Sequence, residues 1–199
     1  MSKMRLTPMI EAAVFAALAV ILDLLPSIRL SPAISISFAM VPVFIVAFRW
    51  GLRAGLISGF LWGLLQVVLG DIYFLTPLQF AIEYFVAFTF VGFAGLLYRP
   101  IQTSLKNGNR KQLLMWAILG VIAGSLARYF WHFVAGFIFW GEYAPEGQSA
   151  VMYSLIANGT TVLGAIAFCS IVIALLAGSL PRLLKTNQAA WTADNRKAS

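Results

Sequence analysis

Charge is scarce in this chain. Of its 199 residues only 11% are charged, the acids number 7, and there is one cysteine and one histidine. The lone cysteine, Cys169, rules out an intramolecular disulfide and, set in an apolar run, reads as core packing. No phosphate-cradling glycine loop, metal-ligand spacing or nucleophile–base pattern occurs, so the chain encodes neither an ATPase motor nor a recognisable catalytic centre. It has no cleavable signal pattern, CaaX box or low-complexity tract. The first apolar run is followed by five more and should remain as a span.

Apolar residues fill the rest. They make up 61% of the chain, with a mean hydropathy of +0.88. A soluble domain of this size cannot hide that much apolar surface, so the class is integral membrane protein. The length allows about six spans of roughly 20 residues. The expected fold is all-α, with six transmembrane helices forming one domain over residues 1–185 and a polar cytoplasmic tail over 186–199.

The net charge of +7 would suggest nucleic acid in a soluble protein. Here the basic residues sit between apolar runs, where they set topology instead, and no nucleic-acid partner is expected. With the N-terminus inside, every Lys and Arg except Arg29 and Arg128 falls on the inner side. Both termini are therefore expected in the cytoplasm, in a multi-pass plasma-membrane protein.

Span one runs from about Pro8 to Leu25 and carries two small-residue pairs, Ala12/Ala16 and Ala13/Ala17, on adjacent strips. Such strips let another helix approach closely in lipid, either within this chain or from a partner. Ile34-Ser-Ile-Ser-Phe38 then alternates with the period of a short strand, between Pro26/Pro32 and span two, giving an irregular outer loop suited to a lid. Span two, about Ala39–Phe48, is short for a crossing. Arg49 to Arg53 forms a tight basic turn. In span three Gly51, Gly55, Gly59 and Gly63 repeat every four residues, which reads as helix contact without chemistry. Thr76-Pro77 should cap span four, which reaches Tyr98, followed by a polar connector from Arg99 to Lys111. Span five runs from Gln112 to Trp140 and span six from about Ala150 to Leu180.

Ionisable groups near the bilayer centre cost about 2.5–3.5 kcal/mol and should be paired or face a cavity. Gly120, Gly124, Arg128, His132, Gly136 and Trp140 follow a four-residue step that drifts about 40° per step on a helix. Glu83 should lie level with the outer end of that ridge. It either pairs with Arg128 or faces a wet outer cavity. With Tyr84, His132, Trp140, Tyr153 and Asn158 at similar depth, a site is the better reading. Aromatic faces favour a cation, a carboxylate balances its charge, and an amide both donates and accepts. A flat, nitrogen-rich cation fits these groups. Asn158-Gly-Thr160 matches a glycosylation sequon, accidentally so inside a span.

Several stretches carry a family likeness: Glu11-Ala-Ala-Val-Phe-Ala-Ala17, Phe48-Arg-Trp-Gly-Leu-Arg53, Glu83-Tyr84, Arg128-Tyr-Phe-Trp-His-Phe-Val-Ala-Gly136, Phe139-Trp140, Tyr153-Ser154, Asn158 and Pro181-Arg-Leu-Leu184. The sequence resembles the thiamine-specific substrate-binding (S) components of energy-coupling factor (ECF) vitamin transporters, the ThiT/YuaJ family. That resemblance implies thiamine as transported ligand, with no cofactor. It carries the ligand contacts onto Tyr73, Glu83, Tyr84, Arg128, His132, Gly136, Trp140, Tyr153 and Asn158. It also implies partners, a transmembrane coupling subunit meeting Ala12, Ala13, Ala16 and Ala17, and two cytoplasmic ATPases. Family members can carry tryptophans in the first loop and after span five. This chain has Ser31-Pro32 and Tyr143-Ala-Pro145 there, with Tyr143 a candidate substitute. The alternatives are an S component for another vitamin or a thiamine precursor, a stand-alone proton-coupled carrier, and, more remotely, a membrane enzyme.

Overall fold

The computed structural model describes residues 6–24, 28–31, 34–70 and 72–186. Lys3, Arg5, Pro26, Pro32, Asp71 and the tail beyond Thr186, on which parts of the sequence reading rest, lie outside them. Six helices follow in order: α1 (Leu6–Asp23), α2 (Val41–Trp50), α3 (Leu52–Leu69), α4 (Pro77–Lys106), α5 (Arg110–Phe139) and α6 (Ala150–Ser179). All but α2 are long and apolar enough to cross a membrane. Ten residues of helix reach only about 15 Å, half the hydrocarbon thickness. Every residue of α2 from Val41 to Phe48 is buried, so it serves as the central pillar that the longer helices surround.

The alternating segment after α1 does form strands. β1 (Ile28–Ser31) and β2 (Ile34–Ile36) pair antiparallel, with Ile28 opposite Ile36 and Arg29 opposite Ser35. Ile36 fits over Gly164 of α6, where a methyl group would lie 2.3 Å from its Cδ1. Phe38 packs edge-on against Phe168 at 5.3 Å.

Gly51 alone links α2 to α3, with a φ of 83° that glycine adopts without penalty. The glycine repeat that follows packs against α4, as its spacing suggested. A Cβ at Gly59 would sit 2.3 Å from the Phe88 carbonyl oxygen, and one at Gly63 1.8 Å from that of Tyr84. Without side chains here, the two backbones meet directly.

Helix α4 begins where expected, the Thr76 hydroxyl accepting a hydrogen bond from the Gln79 amide (3.1 Å) ahead of Pro77. Its end differs from the sequence reading. The stretch from Arg99, read as part of a polar connector, continues as helix to Lys106, and only 107–109 connect it to α5. The helix accommodates Pro100 by tightening to 3₁₀ pitch over Val91–Leu97, so that the proline falls in the first turn of the segment restarting at Tyr98. That segment stays because it is amphipathic. Ile101 is buried, and Gln102 Nε2 donates to the carbonyls of Phe48 (2.7 Å) and Leu184 (2.8 Å).

The two alanine strips of α1 part company. Neighbouring helix residues are rotated by about 100°, so both pairs cannot face one way. Ala12 and Ala16 are fully buried, the Ala12 carbonyl accepting from Ser58 of α3 (3.0 Å), and are corrected to contacts within this chain. Ala13 and Ala17 are exposed. At the start of α1, Glu11 takes an ion pair from Arg49 (2.8 Å) and a hydrogen bond from the Trp50 indole (2.6 Å). Arg49 Nη1 donates in turn to the Leu183 carbonyl (2.9 Å), tying α1, α2 and the segment after α6 together.

Candidate ligand-binding site

The ridge on α5 has two halves. Gly120 and Gly124 receive the rings of Phe48 and Phe44, which a Cβ at either glycine would strike at 2.4 and 2.8 Å. This half is packing. The upper half, His132, Gly136 and Trp140, opens onto a cavity of about 360 Å³ between α4, α5, α6 and the loop before α4. That volume lies within the roughly 300–1,000 Å³ of small-molecule sites.

Glu83 forms one wall. It sits in a π-helical turn of α4, Ala81–Val86, a wider winding often found at functional sites. Its carboxylate accepts from the Trp140 indole at Oε1 (2.9 Å) and from Gln79 at Oε2. Gln79 is itself fully buried, donating also to the Tyr73 carbonyl (3.2 Å) and accepting from the Leu75 amide (3.0 Å). Its partners are neutral donors, and no counter-ion pairs with it among the described residues. The ion pair with Arg128 considered from sequence does not form.

Trp140 and the tyrosines make the mouth. Tyr73 and Tyr143, both well exposed, flank the indole at 6.1 and 5.5 Å between ring centres. The floor is the seam of α5 and α6. At Gly136 a Cβ would lie 2.2 Å from Ser154 Oγ, so glycine sets the close approach. Ser154 Oγ donates to the Phe133 carbonyl (2.8 Å), while Asn158 Nδ2 donates to the Ser154 carbonyl (3.1 Å) and to Ser154 Oγ (3.2 Å). Its amide hydrogens engaged this way, Asn158 has its oxygen left to accept.

Of the nine candidate residues, seven line the cavity: Tyr73, Glu83, His132, Gly136, Trp140, Tyr153 and Asn158. Tyr84 stands behind, its hydroxyl accepting from the Tyr73 amide (2.8 Å) and so steadying the loop. Arg128 lies one turn deeper, its guanidinium over Phe88 (4.2 Å) and Trp62 (4.5 Å). Sequence reasoning missed Gln79 and Ser154. The signal for Gln79 was its four-residue spacing to Glu83, one helical turn. Ser154 has the same spacing to Asn158. Among the described lining residues there is one carboxylate and no lysine or arginine.

The family model described as thiamine transporter protein (Thia_YuaJ) matches residues 9–185. The chain belongs to this thiamine transporter family. Two relatives span nearly the same length. The thiamine transporter ThiT of Bacillus subtilis is 36% identical over 93% of this chain and 97% of its own. That of Lacticaseibacillus paracasei is 36% identical over 90% of each. The solved structure of ThiT from Listeria monocytogenes superposes with a TM-score of 0.88 at 38% identity, covering 91% of this chain and 98% of the other. Members of the family are transporters rather than enzymes, in keeping with the absence of a catalytic pattern.

Proposed function

We propose that this protein is the thiamine-capturing membrane component of an importer, binding its ligand from the outer side in the Glu83 cavity. Thiamine is a permanent cation joining a thiazolium to an aminopyrimidine. The observation that carries the reading is the carboxylate of Glu83, anchored by neutral donors and with no counter-ion among the described residues, beside the Trp140 face. A charge-assisted contact contributes about 1.5–3 kcal/mol, and a cation over an indole about 0.5–2 kcal/mol. His132, Tyr153 and the Asn158 oxygen supply polar contacts at the floor, and Gly136 leaves room for a ring.

In this reading residues 1–185 act as one binding unit with both termini inside. Energy comes from outside the chain, through a coupling subunit that meets the exposed Ala13/Ala17 strip and two cytoplasmic ATPases. The names of the relatives, all thiamine transporters, support the choice of ligand.

Isothermal titration of the purified full chain with thiamine tests the site. Glu83→Gln keeps the side chain's shape and should weaken binding roughly 10- to 100-fold. Unchanged affinity in both Glu83→Gln and Trp140→Ala would overturn the proposal. Thiamine uptake into liposomes holding this chain alone, driven by a proton gradient, would overturn the borrowed-motor half of it.

A further inference from the structure

We infer that Arg128 is a positioning residue that fixes the tautomer of His132, making the imidazole a hydrogen-bond donor to the ligand through Nδ1. The inference rests on His132 being part of the proposed site. Arg128 precedes His132 by one helical turn, and its Nε–H points at His132 Nε2 at 3.4 Å. An N–H can be accepted only by a ring nitrogen that carries a lone pair. The ring proton therefore resides on Nδ1, since in a neutral imidazole the partner of one nitrogen settles the state of the other. Nδ1 has no hydrogen-bond partner among the described residues, and the ring lines the cavity.

The guanidinium is unusual in how it is held. Among the described residues no carboxylate pairs with it. Three aromatic rings hold it instead, with Phe88 at 4.2 Å, Trp62 at 4.5 Å and Tyr129 at 5.6 Å from its central carbon. Trp62 is fully buried and itself packed edge-on against Phe88 at 4.5 Å. Ring faces attract the cation without offering it a strong acceptor, so its Nε–H remains available for the imidazole. A carboxylate in the same place would draw that hydrogen away. The imidazole thus meets a donor on its inner side and turns its own donor outward. The ligand atom it serves is an acceptor, such as a ring nitrogen with a lone pair, and an analogue with a C–H there would lose the contact.

His132 is the only histidine, which makes the test direct. In ¹⁵N-histidine-labelled full-length protein, without ligand, the Nδ1 resonance should have the protonated type and Nε2 the unprotonated type. Arg128→Met should release the ring to the opposite tautomer or a mixture and weaken thiamine binding roughly 10- to 100-fold. Arg128→Lys, which restores a cationic donor, should recover part of both. In a His132→Gln background the Arg128→Met substitution should add little further loss. An Nε2-protonated ring in the unsubstituted protein would overturn the inference, as would an Arg128→Met protein with unchanged resonances and affinity. If Arg128→Met fails to fold, the unsubstituted protein and Arg128→Lys still decide. Absence of thiamine binding by the unsubstituted chain would count against the proposed ligand instead, because the tautomer is read without it.

Discussion

Glu83 shows how one acid can be kept in a membrane protein with no counter-ion among the described residues. Two neutral donors, the Trp140 indole and the Gln79 amide, hold its oxygens while its charge stays directed at the cavity. A buried charge lacking a partner is costly, and the proposed cationic ligand would remove that cost on binding. Gly136 supports the same site through space alone. In Gly136→Ala the new methyl group would meet Ser154 Oγ at 2.2 Å, disturbing the bonds of Ser154 to Phe133 and Asn158. Overpacking of this kind costs about 1–3 kcal/mol. Titration should show affinity falling by about tenfold or more, with a lower thermal midpoint. Glu11 gives the contrast. Glu11→Gln leaves Arg49 without its carboxylate and should lower stability by about 1–3 kcal/mol, read from thermal unfolding. Thiamine affinity should hold, because Glu11 lines no part of the cavity.

Among the helices, α4 decides the site. Its π-helical turn presents Glu83, and its 3₁₀ stretch absorbs Pro100. Both departures from regular pitch lie against α3, where glycines admit the α4 backbone. Gly63→Ala would place a methyl group 1.8 Å from the Tyr84 carbonyl oxygen, a backbone atom that cannot turn aside. At about 2–4 °C per kcal/mol for a chain of this size, the thermal midpoint should fall by several degrees, and binding should weaken as the turn shifts. Gly159→Ala is the control. No neighbouring atom lies within 4 Å of its added methyl group, so better helix propensity should leave stability equal or up to about 1 kcal/mol higher. The order and limits of most helices were legible in the sequence, because apolar runs, Thr76-Pro77 and Gly51 are local signals. The end of α4 was not. The polar stretch from Arg99 reads as loop until Gln102 finds the carbonyls of Phe48 and Leu184, partners far away in the chain.

Over the whole molecule, the exposed strip of α1 and the cavity lie on separate groups of residues, so capture and coupling should be separable. Ala13→Leu and Ala17→Leu should leave thiamine affinity unchanged and abolish uptake when the chain is co-expressed with the coupling subunit and ATPases proposed for it. Ala16→Leu, at a fully buried position, should instead destabilise the protein by about 1–3 kcal/mol. Topology can be read with cysteines, since Cys169 is fully buried. In intact cells an impermeant maleimide should label Glu146→Cys, and Lys106→Cys only after permeabilisation. The opposite pattern would invert the proposed orientation.

Some features were readable along the chain because their causes are local. Hydropathy set the class, four-residue spacing set the glycine contacts, and the rarity of charge within the spans singled out Glu83, Arg128 and His132. Other features depended on what each residue meets across helices. Ala12 and Ala13 are chemically identical and separated only by rotation about α1, which turns one inward and the other outward. Arg128 and His132 share one face of α5. Only their neighbours divide them, aromatic rings enclosing the first and the cavity receiving the second. The stretch from Gly120 to Trp140 is accordingly packing surface below and cavity wall, the proposed binding surface, above, with Arg128 at the boundary.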